Sequence, residues 1–126
     1  MREIREVIFR GKRADNGEWV EGDLLQTRYH SGHIEYQIMP QTPVSSAYPV
    51  LLETVGQYTG LTDRNGKKIF DGDIIEYHEE IGKIKYSDCD AAFGILFDTW
   101  NTYFSEIYEK NVEVIGNIHD NPELME

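Results

Sequence analysis

Short apolar segments separated by polar turn residues recur along this chain, and one of them alternates with the two-residue period of a β-strand. Between residues 34 and 38, isoleucine, tyrosine and isoleucine alternate with glutamate and glutamine, which predicts a half-buried strand. Other short segments rich in valine, isoleucine and aromatic residues, separated by Gly, Asn and Asp, predict further strands. These segments are residues 6–10, 18–21, 24–29, 50–58, 68–70, 72–77, 81–86, 93–97 and 113–118.

Helical signals are few by comparison. No stretch of ten or more residues has a clear helical period, and residues 102–110 fit neither pattern. Asn121 before Pro122 is a typical helix start and predicts a short helical turn near the end of the chain. The pattern as a whole predicts a mostly β protein.

Two parts of the chain share an order of turn, short strand, Gly-Asp and apolar strand. Asn-Gly at 16–17 and 65–66 supplies the positive φ that tight turns need, and Gly-Asp follows at 22–23 and 72–73. We interpret each Gly-Asp as a strand entry, in which glycine turns the chain and aspartate accepts a backbone N–H. The repetition indicates either two similarly built β units or only the limited chemistry of hairpins.

The length fits a single domain over residues 1–126. Residues 39–48 contain two prolines and lack periodicity, so they are the best candidate for a boundary between an N-terminal β part (1–54) and a second part (55–126). The lone Cys89 excludes an internal disulfide and suits a reducing compartment. Because the chain has neither a long apolar run nor an apolar N-terminal signal, we expect a cytoplasmic protein that binds no membrane.

The charge is distributed unevenly along the chain. Residues 1–70 carry nine Lys/Arg and nine Asp/Glu, whereas residues 71–126 carry three against fourteen and so hold the whole net charge of −11. Such a surface repels phosphate backbones and anionic headgroups. It is either a solvated face that maintains solubility or a surface that meets a basic partner. Residues 1–13 are mildly basic and suit the acidic half of the same or another subunit, so a homo-oligomer is one option.

The histidines form no recognisable metal motif. His30 and His33 have a spacing that allows chelation from a turn, but no cysteine or third histidine lies near them in sequence. His78 and His119 are isolated. We interpret the first pair as polar loop residues and the other two as satisfied or exposed imidazoles.

Two acidic clusters are the remaining candidates for chemistry. In Asp88-Cys89-Asp90 the flanking carboxylates oppose formation of the thiolate that a nucleophile requires. Asp71-Gly72-Asp73 lacks the ligand spacing of a calcium-binding hand and is better explained as a strand entry. The sequence also contains no phosphate-binding loop, nucleophile elbow or dinucleotide fingerprint. We therefore predict no catalytic, cofactor-binding or metal-binding residues, and no enzyme.

Aromatic residues are abundant in the acidic half. A platform for single-stranded nucleic acid needs positive charge beside its rings, and the charge here has the opposite sign. We expect most of these rings in the core and one or two at a protein interface. The rings are Tyr77, Tyr86, Phe93, Phe97, Trp100, Tyr103 and Tyr108.

Three segments match one known pattern. Residues 57–75 read QYTGLTDRNGKKIFDGDII, the opening runs from Ile8 to Leu24, and the close runs from Val114 to Leu124. Together they resemble the signature, start and end of the YopX family of phages and prophages, whereas residues 26–54 and 88–92 lie outside the resemblance. The resemblance implies a mostly β protein with a small SH3-like β-barrel in its second half. It also implies a prophage accessory role without established activity, and it supplies no catalytic residues.

These observations favour a protein-interaction module that binds a host or phage protein. The alternative is an acidic mimic of nucleic acid that inhibits a host nucleic-acid enzyme, because half of the chain carries the whole net charge. Nucleic-acid binding through residues 1–13 ranks third. An enzyme ranks last, because no catalytic constellation is present in the sequence.

We predict no binding of duplex or single-stranded DNA tighter than roughly 10⁻⁴ M at physiological salt. Affinity for a phosphate backbone needs cations beside the strand, and residues 71–126 contain only three. Titration of labelled oligonucleotides at low and physiological salt measures this affinity. Micromolar, salt-sensitive binding that disappears when Arg10, Lys12 and Arg13 are neutralised would establish a nucleic-acid binder instead.

Overall fold

The computed structural model describes residues 6–41 and 46–125, and 53% of these residues lie in strands or β-bridges. The strands form two antiparallel sheets, with no α-helix in these residues, so the mostly β prediction is confirmed. The strands are β1 (Phe9–Lys12), β2 (Trp19–Arg28), β3 (Ile34–Met39), β4 (Tyr48–Pro49), β5 (Gly56–Thr62), β6 (Lys68–Phe70), β7 (Asp73–Tyr77), β8 (Glu80–Ser87), β9 (Ala92–Phe97), β10 (Asn101–Tyr103) and β11 (Val112–Asn117). Short 3₁₀ turns span Leu52–Thr54, Phe104–Glu106, Glu109–Asn111 and Pro122–Met125.

The chain divides into two compact units, Met1–Tyr58 and Thr59–Glu126, and β5 runs across the division. The strand orders of the two sheets are β4-β3-β2-β1-β5-β6 and β10-β9-β8-β7-β11. No closed barrel occurs in the described part of the chain, so the SH3-like barrel is not confirmed. Residues 42–45 of the expected boundary segment, and residues 1–5 of the basic N-terminus, lie outside the described residues. Within residues 6–41 and 46–125, no helix is long and apolar enough to cross a membrane.

β2 joins the strands of the first unit, because its first half pairs with β1 and its second half with β3. Gly22 lies where these pairings meet, and a Cβ at this position would overlap the carbonyl group of Met39. Glycine is therefore required by the close approach of a second backbone. The buried apolar residues of the unit are Ile8, Ile38, Val50 and Tyr58.

The two Gly-Asp pairs are not equivalent, which corrects the interpretation that both are strand entries. Gly22 lies inside the continuous strand β2, and the exposed Asp23 accepts a hydrogen bond from the side chain of Gln41 (2.9 Å). Gly72 and Asp73, in contrast, do form the entry of β7. Gly72 has φ 93°, and the buried Asp73 accepts the backbone N–H of Phe70 at 2.7 Å.

The core of the second unit lies on one face of its five-stranded sheet. Ile84 of β8 stands opposite Ile95 of β9, and both side chains are almost completely buried. Apolar residues from the neighbouring strands and from the segments after β10 complete this layer. The cluster comprises Ile69, Ile75, Ile84, Ile95, Phe97, Phe104, Ile107, Val112 and Val114.

Asp63 connects the turn before β6 to the last strand of the sheet. Its Oδ1 accepts the backbone N–H groups of Asn65 and Lys67, both at 2.9 Å, and its Oδ2 accepts that of Val114, also at 2.9 Å. Burial raises the pKa of Asp63. The three backbone hydrogen bonds and the charge of Lys67 together lower the pKa by more than burial raises it, so the pKa lies below its ordinary value. The ionised carboxylate is therefore the form that the fold stabilises.

Replacement of Asp63 by asparagine should lower the free energy of unfolding at pH 7 by about 1–3 kcal/mol, because an amide nitrogen cannot accept the N–H of Val114. The folded-state pKa is depressed, so the carboxylate contributes stability above its unfolded pKa of about 3.9 and loses it as the pH falls through the lower folded value. Urea denaturation across this range should show the difference between wild type and Asp63→Asn shrinking in acid. The exposed Asp98→Asn is the control, and an equal loss in both variants would contradict the assignment.

The replacement Gly72→Val should lower the free energy of unfolding by about 1–3 kcal/mol, because a β-branched residue is strained at φ 93°. The replacement Gly72→Asn should cost less, since asparagine tolerates positive φ better. Thermal or urea unfolding measures both variants. If Gly72→Val kept full stability but lost binding to a metal or partner, Gly72 would have a functional role instead.

Candidate interaction surface

β8, β9 and β10 expose the face of their sheet that lies opposite the core. Lys85 of β8 and Tyr103 of β10 stand in register on either side of Gly94 of β9. Because side chains alternate between the two faces of a strand, these three residues lie opposite to the buried Ile84 and Ile95. They therefore point away from the core of the unit.

Gly94 leaves a gap in this exposed face. A Cβ at Gly94 would meet only the backbone oxygens of Thr102 (3.2 Å) and Lys85 (3.9 Å) within 4 Å. The gap belongs to an open groove of about 740 Å³, which is within the size range of ligand pockets. We define the groove by its floor (Ala92, Gly94, Leu96), its sides (Lys85, Tyr103) and the hairpin at one end (Asp88–Asp90).

The hairpin at the end of the groove is held by a serine. Ser87 Oγ donates to a carboxylate oxygen of Asp90 (3.2 Å) and accepts the backbone N–H of Asp90 (3.3 Å). Asp88, Cys89 and Asp90 are all exposed. The loop therefore presents two carboxylates to the groove, with the Cys89 thiol between them.

The lysines of the acidic half are not spread evenly over its surface. Lys83 and Lys85 follow the alternation of β8 onto the groove face, where Lys83 stands opposite Leu96. The third, Lys110, donates from Nζ to Thr62 Oγ1 (2.8 Å) and to the backbone oxygen of Asp63 (3.4 Å). Lys85 thus lines the groove, and Lys83 lies beside its floor residue Leu96.

The expectation that most aromatic rings of the acidic half lie in the core is wrong. Phe97 is buried, and Tyr77 and Phe93 pack against the core cluster. The other four rings are at least 38% exposed, and they lie near the ends of β8 and β10, in the turn between β9 and β10, and between two 3₁₀ turns. They are Tyr86, Trp100, Tyr103 and Tyr108.

Trp100 and Tyr103 differ in what holds them. The Trp100 ring stacks on Phe97 with ring centres 4.5 Å apart, and its indole N–H donates to the carboxylate of Glu80 (3.1 and 3.3 Å). The stacked Trp100 ring therefore adds to the apolar core beside Phe97. Tyr103 stands on the groove face and is 47% exposed, so its ring is available to a partner.

The basic residues of β1 and its flank lie against aromatic rings of the first unit. The Arg10 guanidinium is 4.8 Å and Lys12 Nζ is 5.4 Å from the ring centre of Trp19. The Arg13 guanidinium lies 4.1 Å from the ring centre of Tyr48 and pairs with Asp15 at 2.7 Å. These contacts give the cluster an intramolecular role through cation–π attraction.

The histidines and the acidic clusters do not come together in one site within the described residues. The His33 ring stacks on Tyr29, with ring centres 5.7 Å apart, and His78 lies against Tyr77 at 4.1 Å. Asp71 Oδ1 accepts the backbone N–H of Tyr86 at 3.4 Å. Within residues 6–41 and 46–125, no group of three or more His, Cys, Asp or Glu side chains is arranged to hold a metal ion.

Sequence reasoning missed the groove. Its signal was a glycine at an outward-facing position inside the predicted strand 93–97, because glycine in a strand often marks a close approach of another molecule or backbone. That signal becomes specific only when Lys85 and Tyr103 are known to be the cross-strand neighbours of Gly94.

Comparison with known proteins gives a family and two similar structures. A structure of protein EF1440 from Enterococcus faecalis is 26% identical, covers 96% of this chain and 99% of its own, and has a TM-score of 0.61. A crystal structure of protein yopX from Bacillus subtilis is 19% identical, covers 94% and 95% of the two chains, and has a TM-score of 0.57, which shows a shared fold. No curated protein sequence matches the chain. The sequence profile of the family described as YopX protein matches residues 8–126, and the chain therefore belongs to the YopX family.

Proposed function

We propose that this protein is a protein-interaction module, a prophage accessory protein without catalytic activity that binds a host or phage protein through the groove of its second unit. The observation that supports this function is the groove itself, with a floor that lacks a side chain at Gly94 and an exposed Tyr103 at its side. Exposed tyrosines are enriched at protein interfaces because they combine a large apolar ring with a polar hydroxyl. The proposal includes a cytoplasmic location, no membrane or nucleic-acid partner, and an SH3-like arrangement of the second unit.

The mixed charge of the groove favours a protein partner. A mimic of nucleic acid needs carboxylates in phosphate-like rows, whereas Lys83 and Lys85 stand on the groove face. The carboxylates Asp88 and Asp90 lie at one end of the groove. Patches of both signs beside an apolar floor suit the polar rim and apolar centre of a protein–protein interface. The acidic mimic remains the alternative, supported by the −11 charge of residues 71–126.

Replacement of Tyr103 by alanine should release the partner, with recovery in a pull-down from host lysate falling about tenfold or more. Tyr108→Ala is the matched control, because Tyr108 is an exposed tyrosine of the same unit (62% exposed) that does not line the groove. Quantitative mass spectrometry of the captured proteins compares wild type and the two variants.

Equal recovery of the partner by Tyr103→Ala and wild type would contradict binding through the groove. Recovery of a nucleic-acid enzyme that competing DNA displaces would favour the acidic mimic instead. Unchanged unfolding of Tyr103→Ala in urea is required as a check, so that loss of the partner reports on binding.

A further inference from the structure

β10 is an outer strand of the five-stranded sheet, next to the groove. The backbone N–H of Phe97 donates to the carbonyl oxygen of Trp100 (2.8 Å), so these two residues are a hydrogen-bonded pair at the hairpin that joins β9 and β10. Bonded and non-bonded pairs alternate along an antiparallel ladder. Thr102 therefore bonds back to β9, whereas Asn101 and Tyr103 direct their backbone groups away from it.

The outward backbone groups are accessible. Asn101 and Tyr103 are both exposed, and in the described residues no further strand pairs with β10. The carbonyl oxygen of Tyr103 accepts a long hydrogen bond from the Thr102 hydroxyl (3.4 Å), which an added strand would replace. An edge of this kind is a template for an added strand, whose backbone exchanges hydrogen bonds with alternate residues of the edge. A strand beside β10 would also place every second side chain on the groove face, next to Tyr103.

The charges around this edge select the chemistry of the added strand. Residues 59–126 carry six Lys/Arg against fifteen Asp/Glu, a net charge of −9. Asp88 and Asp90 lie in the hairpin that leads into β9, the neighbour of β10. Lys85 of β8 is in register with Tyr103 of β10 across Gly94 and opposes this charge. The net charge of −9 of the unit and the two carboxylates at the end of the groove nevertheless favour a basic segment.

We propose that β10 accepts an extended basic segment of a partner protein as an additional β-strand, with lysine or arginine side chains of that segment beside Asp88 and Asp90. This inference rests on the proposed function, and it adds the binding mode and the chemistry of the ligand. Because β10 offers only two outward residues, the segment alone binds weakly, with a Kd between about 10⁻⁵ and 10⁻³ M.

The test uses the full chain, labelled with ¹⁵N, and three capped octapeptides followed by NMR. The first peptide alternates lysine and valine, the second alternates glutamate and valine, and the third is the first with its backbone nitrogens methylated. We expect the lysine peptide to shift the amide signals of Ala92–Leu96 and Asn101–Tyr103. The glutamate peptide should bind at least tenfold more weakly, because its side chains lack the positive charge of lysine. The methylated peptide should also bind at least tenfold more weakly, because it lacks backbone N–H donors.

A pair of charge variants tests the carboxylates. The double variant Asp88→Asn, Asp90→Asn should weaken binding of the lysine peptide three- to tenfold at low salt. The double variant Asp120→Asn, Glu123→Gln removes the same charge at exposed positions that follow β11, the strand at the opposite edge of the sheet from β10, and should change affinity less than twofold.

Three results would overturn the inference: no saturable shifts at 1 mM peptide, shifts centred on another strand, or an equal effect of the two charge variants. Equal binding of the methylated peptide at the groove would refute strand addition and leave groove binding intact. If Tyr103→Ala releases the partner in the pull-down while the lysine peptide fails, the strand inference fails alone. If Tyr103→Ala keeps the partner as well, the proposed function fails with it.

Discussion

The buried carboxylate of Asp63 is the contact on which the arrangement of the second unit depends. It satisfies backbone N–H groups in the turn before β6 and in β11, which are far apart in sequence. Unpaired, the buried N–H of Val114 would cost free energy comparable to a lost hydrogen bond. β11 in turn pairs with β7, and the sheet order then places β10 at the opposite edge. The groove thus lies on a sheet that the Asp63 contact helps to hold in register.

The strands were largely predictable because their signal is local. Alternation of apolar and polar residues anticipated β3, a short apolar segment anticipated β9, and Asn-Gly anticipated the turns at 16–17 and 65–66. The predictions failed where a distant residue decides the backbone. Residues 50–58 contain a 3₁₀ turn, in which the Thr54 hydroxyl donates to the carbonyl oxygen of Leu51 (2.6 Å) and accepts the N–H of Lys12 (2.8 Å). Because Lys12 lies 42 residues from Thr54, the pattern of apolar and polar residues around Thr54 does not indicate this contact.

The groove could not be predicted for a related reason. Its shape depends on which residues flank Gly94 across two hairpins, and hairpin register is fixed by turns and packing. The contacts of the basic residues of β1 could not be predicted from the sequence either. Their clustering was visible in the sequence, but their contacts with Trp19 and Tyr48 depend on the pairing of β1 with β2 and on the position of β4.

The carboxylates of the acidic half differ in what they contact. Asp73 is buried and accepts a backbone N–H, Glu113 pairs with Arg64 at 3.1 Å, and Glu80 accepts the N–H of Trp100. These side chains serve the fold, although an exposed pair such as Arg64–Glu113 contributes at most about 1 kcal/mol. Asp88 and Asp90 are instead exposed in a short loop at the end of the groove. The contacts of Asp90 stay within its hairpin, where they involve Ser87, and recognition of a basic partner is the role that we propose for these two carboxylates.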